Sequence, residues 1–222
     1  FDAHSVKVTL TGDTYWAIDE EIRMIFQNKS DIKYIFRCLD YNKVFDDKSD
    51  YNYDNVPTYL YDDSPWNDVQ YLFNKDVFID NTLGVVKYTL HGQKTPDMDQ
   101  YSSWAADHPV GKDYVLQNYS APARCEDQKE FTEKDAETVR HNVEENVLDM
   151  VKAHPETTFY FYTPPYSALW WYKTKCSGNL ERYFQAEQLQ AELLLQYDNV
   201  KLFSFTDLFD LTCDLDNYKD DT

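Results

Sequence analysis

The chain has 222 residues, enough for one domain with its own core, and its hydrophobic content of 42% argues against bulk disorder. With 40 acidic and 21 basic residues, its formal net charge is −19, which repels phosphate backbones and anionic lipids and argues against a nucleic-acid partner or a membrane-surface role. No apolar stretch reaches the roughly 18 residues of a membrane span, so the sequence predicts no membrane contact.

The N-terminal part alternates strand and helix. The β-branched residues 6–11 predict a strand, which Gly12 and Asp13 end. Apolar residues at helical spacing predict a helix over 16–27, and residues 32–37 predict a second strand. Strand, helix and strand within about thirty residues form the βαβ unit of a parallel sheet.

The middle of the chain, residues 43–127, loses this alternation. It is rich in Asp, Asn, Tyr and Pro, and short helices are predicted at 66–73 and 77–90. Because a long loop-rich stretch inside a compact fold is usually functional, we interpret it as an insertion over the sheet edge, within one domain spanning 1–222.

Regular alternation returns in the C-terminal part. A capping signature at Thr132 begins a helix predicted over 132–154, which Pro155 ends. A strand at 157–163, a helix at 180–196 and a strand at 200–205 follow. The order βαβ, insertion, αβαβ predicts a three-layer α/β fold around a parallel sheet.

The four cysteines are too few and too scattered for a disulfide framework, and they lack the spacing of a zinc site. Cys125 and Cys176 lie in predicted polar loops and could pair in an oxidising compartment. Cys38 and Cys213 lie near predicted strand ends and are expected to be buried thiols. The acidic C-terminal segment lacks the glycine and final glutamate of an EF-hand loop, so no metal site is predicted.

Ligands of an open parallel sheet bind beyond the carboxyl ends of its strands. The residues that follow the predicted strands should therefore meet at one edge, and those expected to contact a substrate are Thr14, Tyr41, Pro165, Tyr166 and Ser167. The aromatic segment 166–172 is either a platform for a sugar or acyl group or the packing of a loop between helices.

Four segments carry a resemblance to a known family: 37–42 (RCLDYN), 56–63 (VPTYLYDD), 161–167 (FYTPPYS) and 215–220 (LDNYKD). In order and spacing they resemble SGNH/GDSL-like hydrolases, more narrowly uncharacterised cell-surface members from Gram-positive bacteria, over nearly the whole chain. The resemblance implies a flavodoxin-like three-layer sandwich and an extracellular or cell-surface location. It also implies an esterase or acyltransferase acting on an O-acylated saccharide or other small ester, without a cofactor.

Carried over to this chain, the resemblance gives Asp220 the role of the triad aspartate, which orients a histidine. Gly12 matches the glycine whose N–H donates to the oxyanion. Asp40 lies where the family has an oxyanion-donating asparagine, and this is a departure because an ionised carboxylate cannot donate. Asn42, two residues away, is a substitute donor.

Two parts of the family's machinery are not found in the sequence. No serine lies in a Gly-x-Ser-x-Gly elbow, and no histidine follows a strand in the required way. We therefore expect the serine before Phe1 and the histidine after Thr222, with the chain as the middle of a longer domain. A rival alignment makes residues 12–14 the nucleophile block, with Thr14 replacing serine.

Two other functions stay open. The departure at Asp40 and the aromatic segment favour a non-catalytic module that binds a carbohydrate or a partner on the same fold. A structural surface domain would have neither a cleft at the strand ends nor esterase activity.

Overall fold

The structure is a computed structural model, and it describes Val8 and residues 12–28, 31–47, 49–52, 57–61, 64–74, 78–79, 82–92 and 109–222. The chain divides into two compact units, one formed by Phe1–Thr9 with Tyr53–Asp107 and the other by Leu10–Asn52 with His108–Thr222. The strand expected at 6–11 lies, except for Val8, outside the described residues. The insertion at 43–127 within a single domain stays a prediction.

The described elements follow one another along the chain in this order: α1 (Tyr15–Asn28), β1 (Tyr34–Cys38), α2 (Val69–Leu72), α3 (Leu83–Leu90), α4 (Lys112–Asn118), α5 (Glu133–Val143), α6 (Asp149–Ala153), β2 (Thr158–Tyr162), α7 (Ala168–Cys176), α8 (Leu180–Leu194), β3 (Val200–Phe203) and α9 (Phe209–Thr212). Short 3₁₀ turns lie at Lys43–Phe45, Thr58–Tyr61 and Leu215–Asn217, and a π-helical turn, Glu144–Leu148, joins α5 to α6. The long helices and the last three strands agree with the sequence-based expectation to within a few residues. Helices α4, α7 and α9 were not expected.

The described part of the chain has a mixed α/β fold with an open, three-stranded parallel sheet. The strand order is β1-β2-β3, with Phe36 opposite Tyr160 and Tyr162 opposite Phe203. Parallel neighbours need crossover connections, which helices supply here. All three carboxyl ends therefore point the same way and lie at one edge.

One face of the sheet carries the core. Phe159 and Phe161 of β2 are each 1% exposed and lie in a cluster with residues of α1, α5, α6 and α8, including Ile22, Val139, Val143, Val151, Ala186 and Leu194. Burial of each large side chain contributes about 1.5–3 kcal/mol. This face is a closed helix-on-sheet layer.

The opposite face of the sheet is apolar and exposed. Tyr34, Phe36 and Phe203 are 60%, 54% and 50% exposed. The rings of Phe36 and Tyr160 stack across the strands at 4.7 Å. An apolar groove of about 490 Å³ runs over this face, lined by Phe36, Tyr160, Tyr162, Pro165, Phe203 and Phe205. Parallel sheets are normally covered on both faces, and among the residues that the structure describes no layer packs on this one.

A buried arginine fixes β1 to the helical layer. Arg37 donates to the carbonyl oxygens of Asn146 (2.7 Å) and Tyr15 (3.0 Å). Asn146 lies in the π-helical turn, and its amide donates to Asn142 (3.0 Å), whose own amide donates to the carbonyl of Val44 (2.8 Å). This network therefore holds the segment that follows β1 at its start, through Arg37, and farther along, through the carbonyl of Val44.

A capping box begins α5. The side chain of Thr132 accepts from the N–H of Asp135 (3.2 Å), and the Asp135 carboxylate accepts from the N–H of Thr132 (2.9 Å) and from Arg182 of α8 (2.5 Å). Burial alone would raise the pKa of Asp135, but the hydrogen bonds from Arg182 and Thr132 outweigh it and lower the pKa to about 2. Because the folded-state pKa is lowered, the stabilisation is present above the ordinary pKa and lost as the pH falls through about 2.

We expect Asp135→Asn to lower the free energy of unfolding by roughly 1 kcal/mol at neutral pH, because it weakens the cap and the pair with Arg182. Urea unfolding of both proteins between neutral pH and about pH 2 should show the difference shrinking in acid. Glu137→Gln, an exposed change on the same helix, is the control and should show little difference. A deficit that is as large near pH 2 as at neutral pH would contradict the prediction.

A disulfide joins Cys125 to Cys176. The sequence indicated that these two cysteines could pair. Beside it, the N–H of Glu126 donates to the carbonyl of Cys176 (2.8 Å). Cys38 is half-buried, but Cys213 is exposed, so the expectation that Cys213 is buried was wrong. The physical reason is that β3 ends at Phe203, which leaves Cys213 beyond α9 rather than at a strand end.

Candidate functional site

The segment after β1 lies against the loop after β2. The N–H of Leu39 donates to the carbonyl of Tyr162 (2.8 Å), which extends the strand pairing by one residue. Asp40 follows, half-buried, and its Oδ2 accepts from the Tyr166 hydroxyl at 2.7 Å. Its Oδ1 accepts from the N–H of Asn42 at 3.3 Å, and Asn42 itself is exposed.

Tyr41 connects the first strand end to the third. Its side chain is 1% exposed, and its hydroxyl lies 2.5 Å from the Thr206 hydroxyl in the loop after β3. Ser204, in the same loop, donates to the carboxylate of Glu187 on α8 (2.8 Å). All three strand ends therefore contribute side chains to one region.

The C-terminal segment is anchored beside the loop after β2. The Ser167 side chain caps α7 by accepting from the N–H of Trp170 (3.3 Å), and its hydroxyl donates to the carbonyl of Asp221 (2.6 Å). The Tyr218 hydroxyl donates to the carbonyl of Pro165 (2.7 Å). Tyr218, although close to the chain end, is buried. These contacts place residues 218–221 at the same edge as the strand ends.

Asp220 presents its carboxylate at the surface of this segment. The side chain is 44% exposed, and Lys219 lies 3.9 Å from one carboxylate oxygen. The other oxygen accepts from the N–H of Thr222 (3.0 Å) and from its hydroxyl. The carboxylate is thus accessible and is not buried among apolar groups.

Gly12 and Thr14 lie at the start of α1. Gly12 has a left-handed backbone (φ 62°), and its carbonyl accepts from the side chain of Asn52 (2.6 Å). The buried Thr14 hydroxyl donates to the carbonyl of Asp50 (3.0 Å) and accepts from the N–H of Ala17 (3.0 Å), as a helix cap does. Among the residues that the structure describes, no hydrogen bond joins Gly12 to Asp40 or Asp220. The roles expected for Gly12 and Thr14 stay predictions.

Five side chains form what we call the aromatic cluster: Tyr41, Tyr166, Trp170, Trp171 and Tyr183. Tyr166 stacks on Trp170 with ring centroids 4.1 Å apart, and Tyr41 meets Trp171 edge-on at 4.9 Å. Tyr183 stacks with Trp170 at 6.0 Å. The sequence pointed to the segment 166–172 but not to Tyr183, because that residue lies on α8 and reaches the cluster only through tertiary packing.

The Tyr166 hydroxyl and the Cys38 thiol, both near Asp40, are held in their protonated forms. Burial, and next the charge of Asp40, raises the pKa of Tyr166 well above its ordinary value. Burial, with Asp40 adding to it and Arg37 opposing it, raises the pKa of the Cys38 thiol to about 12. Since the thiolate is the nucleophilic form of cysteine, Cys38 is not poised to act as a nucleophile.

Within the described ranges, no group of three or more His, Cys, Asp or Glu side chains could hold a metal ion. No helix there is both long and apolar enough to cross a membrane.

Comparisons of the chain with protein-family models, with curated proteins and with solved structures found no match. The function is therefore argued from the site itself.

Proposed function

We propose that the chain forms part of an SGNH-type esterase or acyltransferase that acts on an O-acyl group of a saccharide or other small ester. The observation that carries the proposal is the meeting of the strand ends with the segment that holds Asp220, at the carboxyl edge of a parallel sheet. Three hydrogen bonds connect these segments: Tyr166 to Asp40, Tyr41 to Thr206, and Tyr218 to Pro165. This is the edge at which open parallel sheets bind their ligands.

The proposal includes a flavodoxin-like, three-layer arrangement. The apolar groove over Phe36, Tyr160 and Phe203 supports it, since a parallel sheet with aromatic residues on both faces is suited to a layer on each side. Only one such layer, the one formed by α1, α5, α6 and α8, is present among the described residues.

In this proposal Asp220 orients the histidine of a triad, a role that its accessible carboxylate can fulfil. Gly12 donates its N–H to the oxyanion, and its left-handed backbone suits a close approach. Asp40 acts as an acceptor for Tyr166, so Asn42 is the side chain to which we assign the second donation. Pro165 and Tyr166, both half-buried, form the substrate side of the edge. Thr14, Tyr41 and Ser167, which were also expected to contact a substrate, are buried (at most 1% exposed) and support the edge from within. No residue of the chain is assigned as nucleophile or as histidine.

A location outside the cytoplasm is part of the same proposal. The disulfide between Cys125 and Cys176 supports it, because such bonds persist in oxidising compartments and are rare in the cytosol.

A second candidate is a non-catalytic saccharide-binding module. It is favoured by the carboxylate of Asp40, which accepts a hydrogen bond where an oxyanion donor is expected, and by the aromatic cluster beside it. The gene that encodes the chain distinguishes the two candidates. An enzyme requires that it encode a Gly-x-Ser and a histidine at positions flanking these residues, and a binding module does not.

The test is the reaction of the full-length protein with p-nitrophenyl acetate and with a fluorophosphonate probe. A serine esterase should hydrolyse the ester and lose this activity in step with covalent labelling by the probe. Heat-denatured protein is the control for non-specific labelling. Absence of both hydrolysis and labelling would refute the enzyme, and saccharide binding without hydrolysis would favour the module.

A further inference from the structure

Among the residues that the structure describes, the Asp40 carboxylate at the strand ends forms no ion pair with a basic side chain. Asp40 is half-buried, and its hydrogen bonds come from two neutral donors, the Tyr166 hydroxyl and the Asn42 N–H. All ion pairs that the structure shows within its described ranges involve other residues. A partly desolvated carboxylate in this state is free to attract a cation from outside the protein.

The basic side chains of the flanking segments are engaged by other groups: Lys43 by Asp46 (3.2 Å), Lys173 by Asp221, Arg182 by Asp135 (2.5 Å), and Arg37 by the carbonyls of Tyr15 and Asn146. None of them donates to Asp40 in the described part of the chain. A bound cation would therefore compete with no basic side chain of the described residues for Asp40.

The Asp40 carboxylate contacts one member of the aromatic cluster directly, through the Tyr166 hydroxyl. Tyr166, which donates to Asp40, stacks on Trp170, and Trp170 stacks on Tyr183. Tyr166, Trp170 and Tyr183 are each half-buried, so each keeps part of its surface accessible. Ring faces attract cations through their quadrupole, most strongly for tryptophan. A carboxylate next to such rings is the combination that an alkylammonium group prefers.

The charge of Asp40 acts on more than one ring of the aromatic cluster. Burial is the main cause that raises the pKa of Tyr183, and the charges of Asp40 and Asp46 raise it further, while Arg182 opposes them. For Tyr41 burial is again the main cause, and Glu187 adds to it. Burial disfavours a charge of either sign at these rings, and Arg182 makes the largest charge contribution at Tyr183. The electrostatic support for a cation therefore comes from Asp40 itself, whose negative charge acts on Tyr166 and on Tyr183.

We propose that Asp40 and the aromatic cluster bind an ammonium group, so that the ester substrate carries an amine on its acyl or its sugar part. The inference rests on the proposed function for the ester, but the binding of the ammonium group does not require catalysis. Anionic esters are correspondingly disfavoured at this site.

Two matched ligand pairs test the proposal on the full-length protein. Glycine ethyl ester and ethyl propionate differ by an ammonium in the acyl part, and glucosamine and glucose differ by one in the sugar. Binding is followed through the intrinsic tryptophan fluorescence, to which Trp170 and Trp171 contribute among the five tryptophans, at about pH 6, where α-amino groups are protonated. We expect the charged member of one pair to bind roughly tenfold more tightly than its neutral match.

The variant Asp40→Asn should abolish this preference, and Asp210→Asn should keep it. Asp210 is an exposed carboxylate on α9 outside the site, so it controls for the change in net charge. Equal affinities within both pairs, or a preference that survives in Asp40→Asn, would overturn the proposal. If Asp40→Asn does not fold, the wild-type comparison still decides it.

Hydrolysis of the glycine ester, followed in parallel, separates the two proposals. Preferential binding with neither hydrolysis nor labelling by the fluorophosphonate probe would refute the esterase and keep the ammonium site. Hydrolysis of neutral esters without preferential binding of the charged ligands would support the esterase and refute the ammonium site.

Discussion

Under the proposed esterase function, replacing Asp220 by asparagine is expected to lower kcat for ester hydrolysis by about 10⁴-fold. This is the size of the effect when a triad aspartate becomes an amide, because the histidine is then held in the wrong tautomer. The structure permits a clean experiment, since the Asp220 carboxylate contacts only Lys219 and Thr222 among the described residues. Exposed contacts of this kind contribute little to stability, so the unfolding midpoint should hardly move.

The measurement is a steady-state assay of the wild-type protein, Asp220→Asn and Asp210→Asn with the same ester. Asp210→Asn makes the same change in net charge and should keep kcat within about threefold, because exposed substitutions away from a site have small effects. If Asp220→Asn kept more than about a tenth of the wild-type kcat, the triad role of Asp220 would be wrong, since a misoriented histidine costs far more than that.

Gly178→Ala is expected to lower the free energy of unfolding by roughly 2–4 kcal/mol, from backbone strain together with overpacking. Gly178 has a left-handed backbone (φ 75°) between α7 and α8, and its carbonyl accepts from the N–H of Lys129 (2.8 Å). An added Cβ would lie 2.3 Å from the carbonyl oxygen of Asp127. Because that atom belongs to the backbone, and the disulfide of Cys125 and Cys176 ties the same two segments together, the clash cannot relax cheaply.

Gly84→Ala is the matched control, because Gly84 lies inside α3 and an added Cβ meets nothing within 4 Å. It should be neutral or stabilise by about 0.5–1 kcal/mol through helix propensity. Urea unfolding followed by circular dichroism measures both changes. A Gly178→Ala protein as stable as the wild type would mean that the segments of Asp127 and Gly178 do not approach each other in this way.

Segments with strong local patterns were predictable from the sequence. The strand at 157–163 is almost entirely aromatic and β-branched, and the helix from Thr132 carries both its cap and its apolar stripe. Helix α7 was not predictable in this way, because its consecutive Trp170, Trp171 and Tyr172 give no one-sided apolar stripe. Its start depends on the cap from Ser167, and that hydroxyl is also held by the carbonyl of Asp221, a contact across 54 residues.

The location of the candidate site, at the carboxyl edge of the sheet, was predictable from the sequence, but the contacts between its side chains were not. Parallel strands bring their carboxyl ends to one edge, so the segments around Asp40, Pro165 and Asp220 could be selected from their order alone. That Tyr166 bonds to Asp40, and that Tyr183 joins the aromatic cluster, could not be read in advance. The expectation for Cys213 was wrong for the same reason, since its exposure depends on where the chain turns after β3.

The amino-acid sequence by itself determined the alternation of strands and helices, the parallel sense of the sheet and the segments that follow its strands, because these depend on local periodicity and on chain connectivity. Only the tertiary structure decided that Asp40 is held by neutral donors, that the half-buried Asp220 keeps its carboxylate accessible, and that Phe36 and Phe203 are exposed on one sheet face. Those properties depend on contacts between residues such as Asp40 and Tyr166, which are 126 positions apart in the chain. Local pattern carries no information about such pairs, since strand register and helix packing set their distance.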